Sequence, residues 1–145
     1  MARVKLEIPN QLLTTIELPV RITDINYGNH LGNDALVGLL HEARVQWLSQ
    51  HGFTELNAGG VPLILSDLAV VYKSEVYQGE RLFISLYKGD ITRAGFELFY
   101  RIIIKRGGQE IEAALAKTGM VCFDYERKKT VSVPHNLIHL LTSCD

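Results

Sequence analysis

Between positions 24 and 34 the chain reads Asp24-Ile25-Asn26-Tyr27-Gly28-Asn29-His30-Leu31-Gly32-Asn33-Asp34. Two carboxylates, one imidazole and three side-chain amides stand in this short stretch. Carboxylates and imidazoles move protons, and a carboxylate is also a nucleophile. Side-chain amides orient a water or a carbonyl and stabilise charge developing on oxygen. The same residue types have plainer uses. Asp24 can accept turn amides from Tyr27 to Asn29, Asn26 can do the same, and His30 can hold the loop by hydrogen bonds. On the residues alone both readings stay open.

Two elements must position this stretch. Upstream, Ile16, Leu18, Val20 and Ile22 alternate with Thr15, Glu17, Arg21 and Thr23, the period of a half-buried strand. Asp24 continues the apolar parity, so partial burial is expected to raise its pKa and sharpen its basicity. Downstream, the spacing predicts a helix over 34–50. Leu36, Leu40, Ala43 and Trp47 form its apolar stripe, Leu39 and Leu48 widen it, and Glu42, Arg44 and Gln46 take other faces. His51-Gly52 is the expected stop. The helix would bring free amides near Asn33 and Asp34, where its dipole favours negative charge. That end is otherwise simply capped by Asn29, Asn33 or solvent.

After about Gly60 the pattern is strand throughout. Pro62 to Tyr77 is mostly apolar. Leu82, Ile84 and Leu86 alternate with polar or aromatic neighbours, as do Phe96, Leu98, Tyr100, Ile102 and Ile104. Ile111, Ala113, Leu115, Val121 and Phe123 share one parity. Gln78-Gly79-Glu80, Arg93-Ala94-Gly95 and Gly107-Gly108 separate the runs as turns. Short connections predict that the last four strands are antiparallel neighbours. One helix with five strands gives an α+β class, with one curved antiparallel sheet burying the helix.

Other chemistries are disfavoured. No phosphate-cradling glycine motif is present, no His/Cys/carboxylate cluster has metal-ligand spacing, and Gly-x-Ser-x-Gly is missing. Asp67 stands out because it interrupts the apolar run Ile64-Leu65-Ser66-Asp67-Leu68-Ala69. A buried charge there is costly unless paired, with Lys73 or Lys117 for instance. The chain has 145 residues, 47% hydrophobic and 21% charged, with a formal net charge of −1. One domain over 1–145 with a true core is expected, and nucleic acid is a poor partner for that charge. Cys122 and Cys144 lie too far apart for a Cys-x-x-Cys site, which favours a reducing cytoplasm. Apolar runs are too short to span a bilayer, and the first ten residues lack a signal-type apolar stretch.

A strand, a Gly/Asn/His turn, one central helix and four strands resemble the hot-dog fold. The residues resemble its acyl-CoA thioesterase family, the 4-hydroxybenzoyl-CoA thioesterase-like group. The family pattern is roughly Asp-x-Asp-x-x-Gly-His-Val-Asn-Asn followed by a helical Glu-Ala-Arg. Here Asp24 to Asn33 and Glu42-Ala43-Arg44 stand in those places. Val71-Tyr72-Lys73, Gly79-Glu80-Arg81-Leu82, Ala116 to Asp124 and Val133-Pro134 extend the likeness over roughly Ile16 to Pro134.

The resemblance implies a curved five-stranded antiparallel sheet wrapped around a long central helix. It implies hydrolysis of an acyl-CoA without a cofactor, since coenzyme A is part of the substrate. The substrate would be the small-molecule partner, with no nucleic acid or membrane, in a homodimer or homotetramer. One departure matters. The family's usual catalytic carboxylate falls at Asn26, and an amide cannot take a proton from water. The first Asp and the His of the motif match at Asp24 and His30, while the paired Asn-Asn is Gly32-Asn33.

The base is therefore expected to be Asp24, or an acid reached across a dimer interface, with Asp67 the first choice. Asn26 and His30 would hold the water, and amides near Asn33 and Asp34 would bind the oxyanion. Asp34 and Glu42 are also noted, because other hot-dog enzymes place an acid on this helix. Lys73, Arg93 and Lys117 are candidates for coenzyme A phosphates. Two rival readings stand beside this one. Asp24-Ile25-Asn26 with His30 approaches the motif of hot-dog enoyl-CoA hydratases, but lacks its Pro and has one residue too many before the His. A non-catalytic acyl-CoA-binding protein is the other rival.

Overall fold

A computed structural model describes residues 3–143. Its sheet contains β1 (Leu12–Pro19), β2 (Leu63–Tyr72), β3 (Arg81–Ile91), β4 (Gly95–Arg106) and β5 (Gln109–Asp124), with a short β6 (Lys129–Thr130) on β5. All pairings are antiparallel, in the order β1-β3-β4-β5-β2. Helix α1 (Asn33–Gln50) follows β1, and α2 (His135–Thr142) follows β6.

α1 buries the expected stripe of Leu36, Leu39, Leu40, Ala43, Trp47 and Leu48 against Leu82, Ile84, Leu86 and the Phe96–Ile104 alternation. Arg44 departs from its expected outward place. Its side chain is only 9% exposed, with Nε donating to Glu55 Oε2 at 3.3 Å and Nη1 to Tyr100 Oη at 3.3 Å. Tyr100 Oη lies 2.7 Å from Thr118 Oγ1, and His41 Nε2 lies 2.5 Å from Glu55 Oε1. A polar thread thus runs from the surface into the core, satisfying groups whose burial would otherwise be costly.

Three expectations about the strands need correction. β2 does not neighbour β3; it pairs with β5. The segment between them, 73–80, is too long for a tight hairpin, and its backbone is tied elsewhere. Val76 O accepts from the Leu31 amide at 2.7 Å, and Glu80 O accepts from the Val20 amide at 2.9 Å. These bonds carry the chain across to the β1 side. Strand character accordingly ends at Tyr72, not Tyr77.

The parity of β5 also flips. Ala113 and Leu115 of the expected face are buried, but so are Ala114, Ala116, Thr118, Met120 and Cys122, while Ile111, Val121 and Phe123 are only half-buried. The cause is a bulge. Ile102 faces Ala114 but Ile103 faces Glu112, leaving Ala113 as the extra residue. One inserted residue exchanges the two faces of a strand. Finally, the chain after Pro134 forms α2, with Leu137 and Leu141 buried one turn apart.

Candidate active site

The turn after β1 is built from local backbone chemistry. β1 ends at Pro19, and Ile22–Asp24 makes a single 3-10 turn. Ile22 is therefore exposed rather than part of the apolar face, and the parity argument for Asp24 does not hold. Ile25 and Leu31 then form an isolated bridge. Inside it Asn26 N donates to His30 O at 2.9 Å, and Asn26 Oδ1 accepts from Gly28 N at 2.8 Å. Asn29 takes φ +66°, a left-handed conformation that asparagine tolerates. A Cβ built on Gly28 would lie 3.1 Å from His30 Nε2 and 3.2 Å from Asn26 Oδ1. Both polar atoms therefore converge on the space beside that glycine.

These residues form one wall of a cleft of about 660 Å³. The start of α1 contributes Asn33, Asp34 and Leu36; the chain leaving β2 contributes Tyr72, Lys73, Ser74, Glu75 and Val76; Ile102, Ala113 and Ala114 form the apolar floor. The β5 bulge lies at that floor, where Ala113 O accepts both the Lys73 and Ser74 amides, at 2.9 and 3.1 Å. Tyr72 Oη donates to Asn33 O at 3.2 Å, fixing the end of β2 to the start of α1. The Tyr72 phenol is pushed up by burial and by the nearby Asp34 charge.

No side chain caps the α1 N-terminus at Gly32. The Asp34 amide is taken by Asn33 Oδ1 at 2.8 Å. The Asn33 amide, in the first helical position, has no intrahelical acceptor.

Of the residues singled out above, Asn26, His30, Asn33, Asp34 and Lys73 line this cleft. Lys73 also donates to Glu112 at 2.6 Å. Asp24 lies in an adjacent groove with Arg21, Asp34 and Glu42. Its carboxylate accepts from Arg21 N (2.9 Å), Nε (3.2 Å) and Nη2 (3.1 Å), not from the Tyr27–Asn29 amides. Burial pushes its pKa up, but the Arg21 hydrogen bonds outweigh this and hold it below the ordinary value. The expectation of a raised pKa is thus corrected.

Asp67 is not buried. A β2 bulge at Ser66 turns the acid outward, 60% exposed, where Lys117 Nζ donates to it at 2.8 Å. Lys117 also meets Glu97 at 3.4 Å. Arg93 Nη1 donates to Ser132 Oγ at 3.3 Å. Neither Arg93 nor Lys117 lines the cleft. Cys122 is a buried free thiol pushed up to about 11 by desolvation, and Cys144 lies outside the described residues. Glu75 was not anticipated. It sits in irregular chain that no hydrophobic period marks, yet its Oε1 lies 3.9 Å from His30 Nε2.

A test of Asp24 follows from its partners. A carboxylate whose folded pKa is depressed stabilises the fold above its unfolded pKa, and that contribution disappears as pH falls through the folded value. Asp24→Asn should lose ~1 kcal/mol at pH 7, a charged hydrogen bond discounted for an exposed arginine. The gap between the two proteins should begin to narrow below about pH 4 and close only as pH falls through the lower folded value. Urea melts at several pH values measure this. Turnover should change by less than ~3-fold, because a loss of general-base size is ~10²–10⁴-fold.

A family model for the thioesterase-like superfamily matches residues 20–141. Among solved structures, the chain is similar to a 1,4-dihydroxy-2-naphthoyl-CoA thioesterase from Synechocystis. That likeness has 22% identity and a TM-score of 0.77, covering 88% of this chain and 93% of the other. A putative thioesterase from Pseudomonas aeruginosa gives 22% identity and a TM-score of 0.81 over 91% and 100% of the two chains. A mutant of 4-hydroxybenzoyl-CoA thioesterase with Asn in place of Asp, complexed with 4-hydroxybenzoyl-CoA, gives 16% identity and 0.79 over 91% and 98%. No protein of curated function matches the sequence significantly. At these identities the structural likeness speaks for the hot-dog fold. The family match extends over most of the chain, from the end of β1 through the cleft-forming turn to α2, and the chain belongs to the thioesterase-like superfamily.

Proposed function

We propose that this chain hydrolyses an acyl-CoA thioester in the cleft between the 25–31 turn, the α1 N-terminus and the chain leaving β2. The carrying observation is that polar turn, with the free Asn33 amide beside it, set over an apolar floor. The superfamily match supports the same reading. Asn26 Oδ1 is committed to the Gly28 amide, so its Nδ2 is the group turned to donor work. With the Asn33 amide it would stabilise the oxyanion formed when water adds to the thioester carbon. The C–S bond then breaks, releasing acid and coenzyme A thiol. Lys73 is the cleft's candidate for a coenzyme A phosphate.

β2 is a sheet edge with Leu65, Leu68 and Tyr72 exposed. Such an edge suits pairing with a two-fold mate, so we read the protein as a homodimer or a homotetramer built from it. In that assembly Asp67 would stand at the interface. Among the described residues no helix is long and apolar enough to cross a membrane. A reducing cytoplasm suits the free Cys122.

The test is release of free thiol from short-chain, long-chain and aromatic acyl-CoAs. Hydrolysis of at least one is expected. Silence across the panel, with retained binding of a coenzyme A analogue, would favour the binding-protein reading. Hydration of crotonyl-CoA instead would favour the hydratase.

A further inference from the structure

With Asn at position 26, Asp24 bound to Arg21 and Asp67 bound to Lys117, the cleft must find its proton acceptor elsewhere. Asp34, Glu75 and His30 are the acidic or imidazole side chains that line it. Asp34 stands in the first turn of α1, where a carboxylate complements the helix dipole. Glu75 is held differently. Tyr77 Oη donates to its Oε2 at 3.0 Å, and that hydrogen bond pushes the Tyr77 phenol up. Arg106 lies over the Tyr77 ring at 5.0 Å and donates Nη2 to Glu75 O at 3.1 Å. Arg106 is itself fixed by Glu80, through bonds of 3.0 and 2.7 Å. Glu80 also accepts from the Tyr77 amide at 2.8 Å. Backbone and side chain of a 62% exposed glutamate are thus both clamped, which an idle surface acid does not require.

The other Oε of Glu75 faces His30. The 3.9 Å separation of Oε1 from Nε2 is too long for a direct hydrogen bond and suits a bridging water. His30 Nδ1 lies 3.4 Å from Leu31 O; a ring proton on Nδ1 would be donated to that carbonyl and would leave Nε2 as acceptor. Nε2 also faces the space beside Gly28 that Asn26 Oδ1 shares.

Resting on the thioesterase reading above, we propose that His30 and Glu75 are the water-activating pair of this cleft. The water sits between Nε2 and Oε1. Nε2 takes one proton as the oxygen bonds to the thioester carbon. Glu75 accepts a hydrogen bond from the water's second hydrogen, which stays on the oxygen, and stabilises the imidazolium. When the tetrahedral intermediate collapses, the C–S bond breaks and the imidazolium returns its proton to the departing sulfur. Glu75 fills the gap that Asn26 leaves, from the chain leaving β2 that Leu31 ties to the turn.

Charges facing the pair are Asp34 from α1 and Lys73 from the β2 exit, the latter neutralised by Glu112. Tyr27 and Tyr72 line the same cleft, and Arg106 and Glu80 face the Glu75 loop from behind.

The experiment has two arms. In the first, His30 is titrated by NMR in the wild-type chain and in Glu75→Gln, with His30→Gln assigning the signal. Loss of the carboxylate should lower the His30 midpoint, because the imidazolium loses the negative charge beside it. Tyr77→Phe should move it in the same direction by less. An unchanged midpoint in Glu75→Gln overturns the pair whether or not the chain turns over any substrate. In the second arm, butyryl-CoA, palmitoyl-CoA and benzoyl-CoA are assayed from pH 5 to 9. His30→Gln should lower kcat by ~10²–10⁴-fold. Glu75→Gln should lower kcat more than it alters KM and move the acid limb of kcat/KM to lower pH. A coupled His30 titration with no hydrolysis by the wild type would count against thioester hydrolysis and against the catalytic role, while leaving the pairing itself shown. Wild-type hydrolysis with an unaltered rate and acid limb in Glu75→Gln would overturn the proposal and leave the thioesterase reading standing.

Discussion

Arg44→Ala should destabilise the fold by about 1.5–3 kcal/mol, the cost of losing charge-assisted hydrogen bonds from a buried guanidinium to a partly exposed glutamate. Arg44 joins Glu55 to Tyr100 from the middle of α1. Its loss leaves Glu55 with His41 alone and Tyr100 with only Thr118. A domain of this size is stable by about 5–15 kcal/mol, so the change removes a large share of the total. Urea denaturation at pH 7 measures it. The double variant Arg44→Met with Glu55→Gln should recover much of the loss, because replacing both charges by groups that need no counter-ion avoids the stranded carboxylate. If Arg44→Ala proves as stable as the wild type, the thread is not holding α1 to the sheet.

The second large effect sits one turn further along α1. Trp47 is 1% exposed, and its Nε1 has no hydrogen-bond partner among the described residues. Trp47→Ala should cost about 3–5 kcal/mol through the cavity it opens. Trp47→Phe should cost less than ~1.5 kcal/mol. The smaller ring loses some contact, but the unpaired N–H, whose burial is itself unfavourable by about 1–3 kcal/mol, is gone. A Phe variant as unstable as the Ala variant would mean that the indole nitrogen has a partner, such as an ordered water. Calorimetric Tm values for the three proteins decide between these outcomes.

The helix and most strands were legible because each has a long apolar period with a breaker at its end. α1 begins one residue earlier than the spacing predicts and ends at the expected Gln50. The alternation of β3 and β4 carries straight through to burial. Periodicity failed where one residue shifted the register. Ala113 inverts the faces of β5, and Ser66 turns Asp67 out to solvent. It also failed at Asp24, where Pro19 ends the strand and the Arg21 guanidinium draws the carboxylate into a 3-10 turn.

The cleft was half legible. Asn26, His30, Asn33 and Asp34 are contiguous in sequence, so local spacing found them. Glu75 reaches the same space through tertiary pairing, tied by Leu31 to Val76 and by Arg106 to Glu80. Neither tie leaves a periodic trace. The only sequence signal was an acid near the end of the mostly apolar run Pro62 to Tyr77. α2 spans eight residues, too few for a helical period to stand out.

The pairing of β2 with β5 also bears on how the chain acquires its cleft. β2 ends at Tyr72 and β5 begins at Gln109, so the whole of β3 and β4 must be made before β2 gains its neighbour. The cleft floor at Ala113 and Ala114 arrives with that same strand. Contacts between distant segments form slowly, because the loop between them must be closed before they reward it. A nascent chain ending near Arg106 would hold the 25–31 turn and α1 with only Ile102 of the floor made and with the apolar residues of β2 uncovered. Docking of β5 is the step at which a sticky folding intermediate becomes a chain with a substrate site.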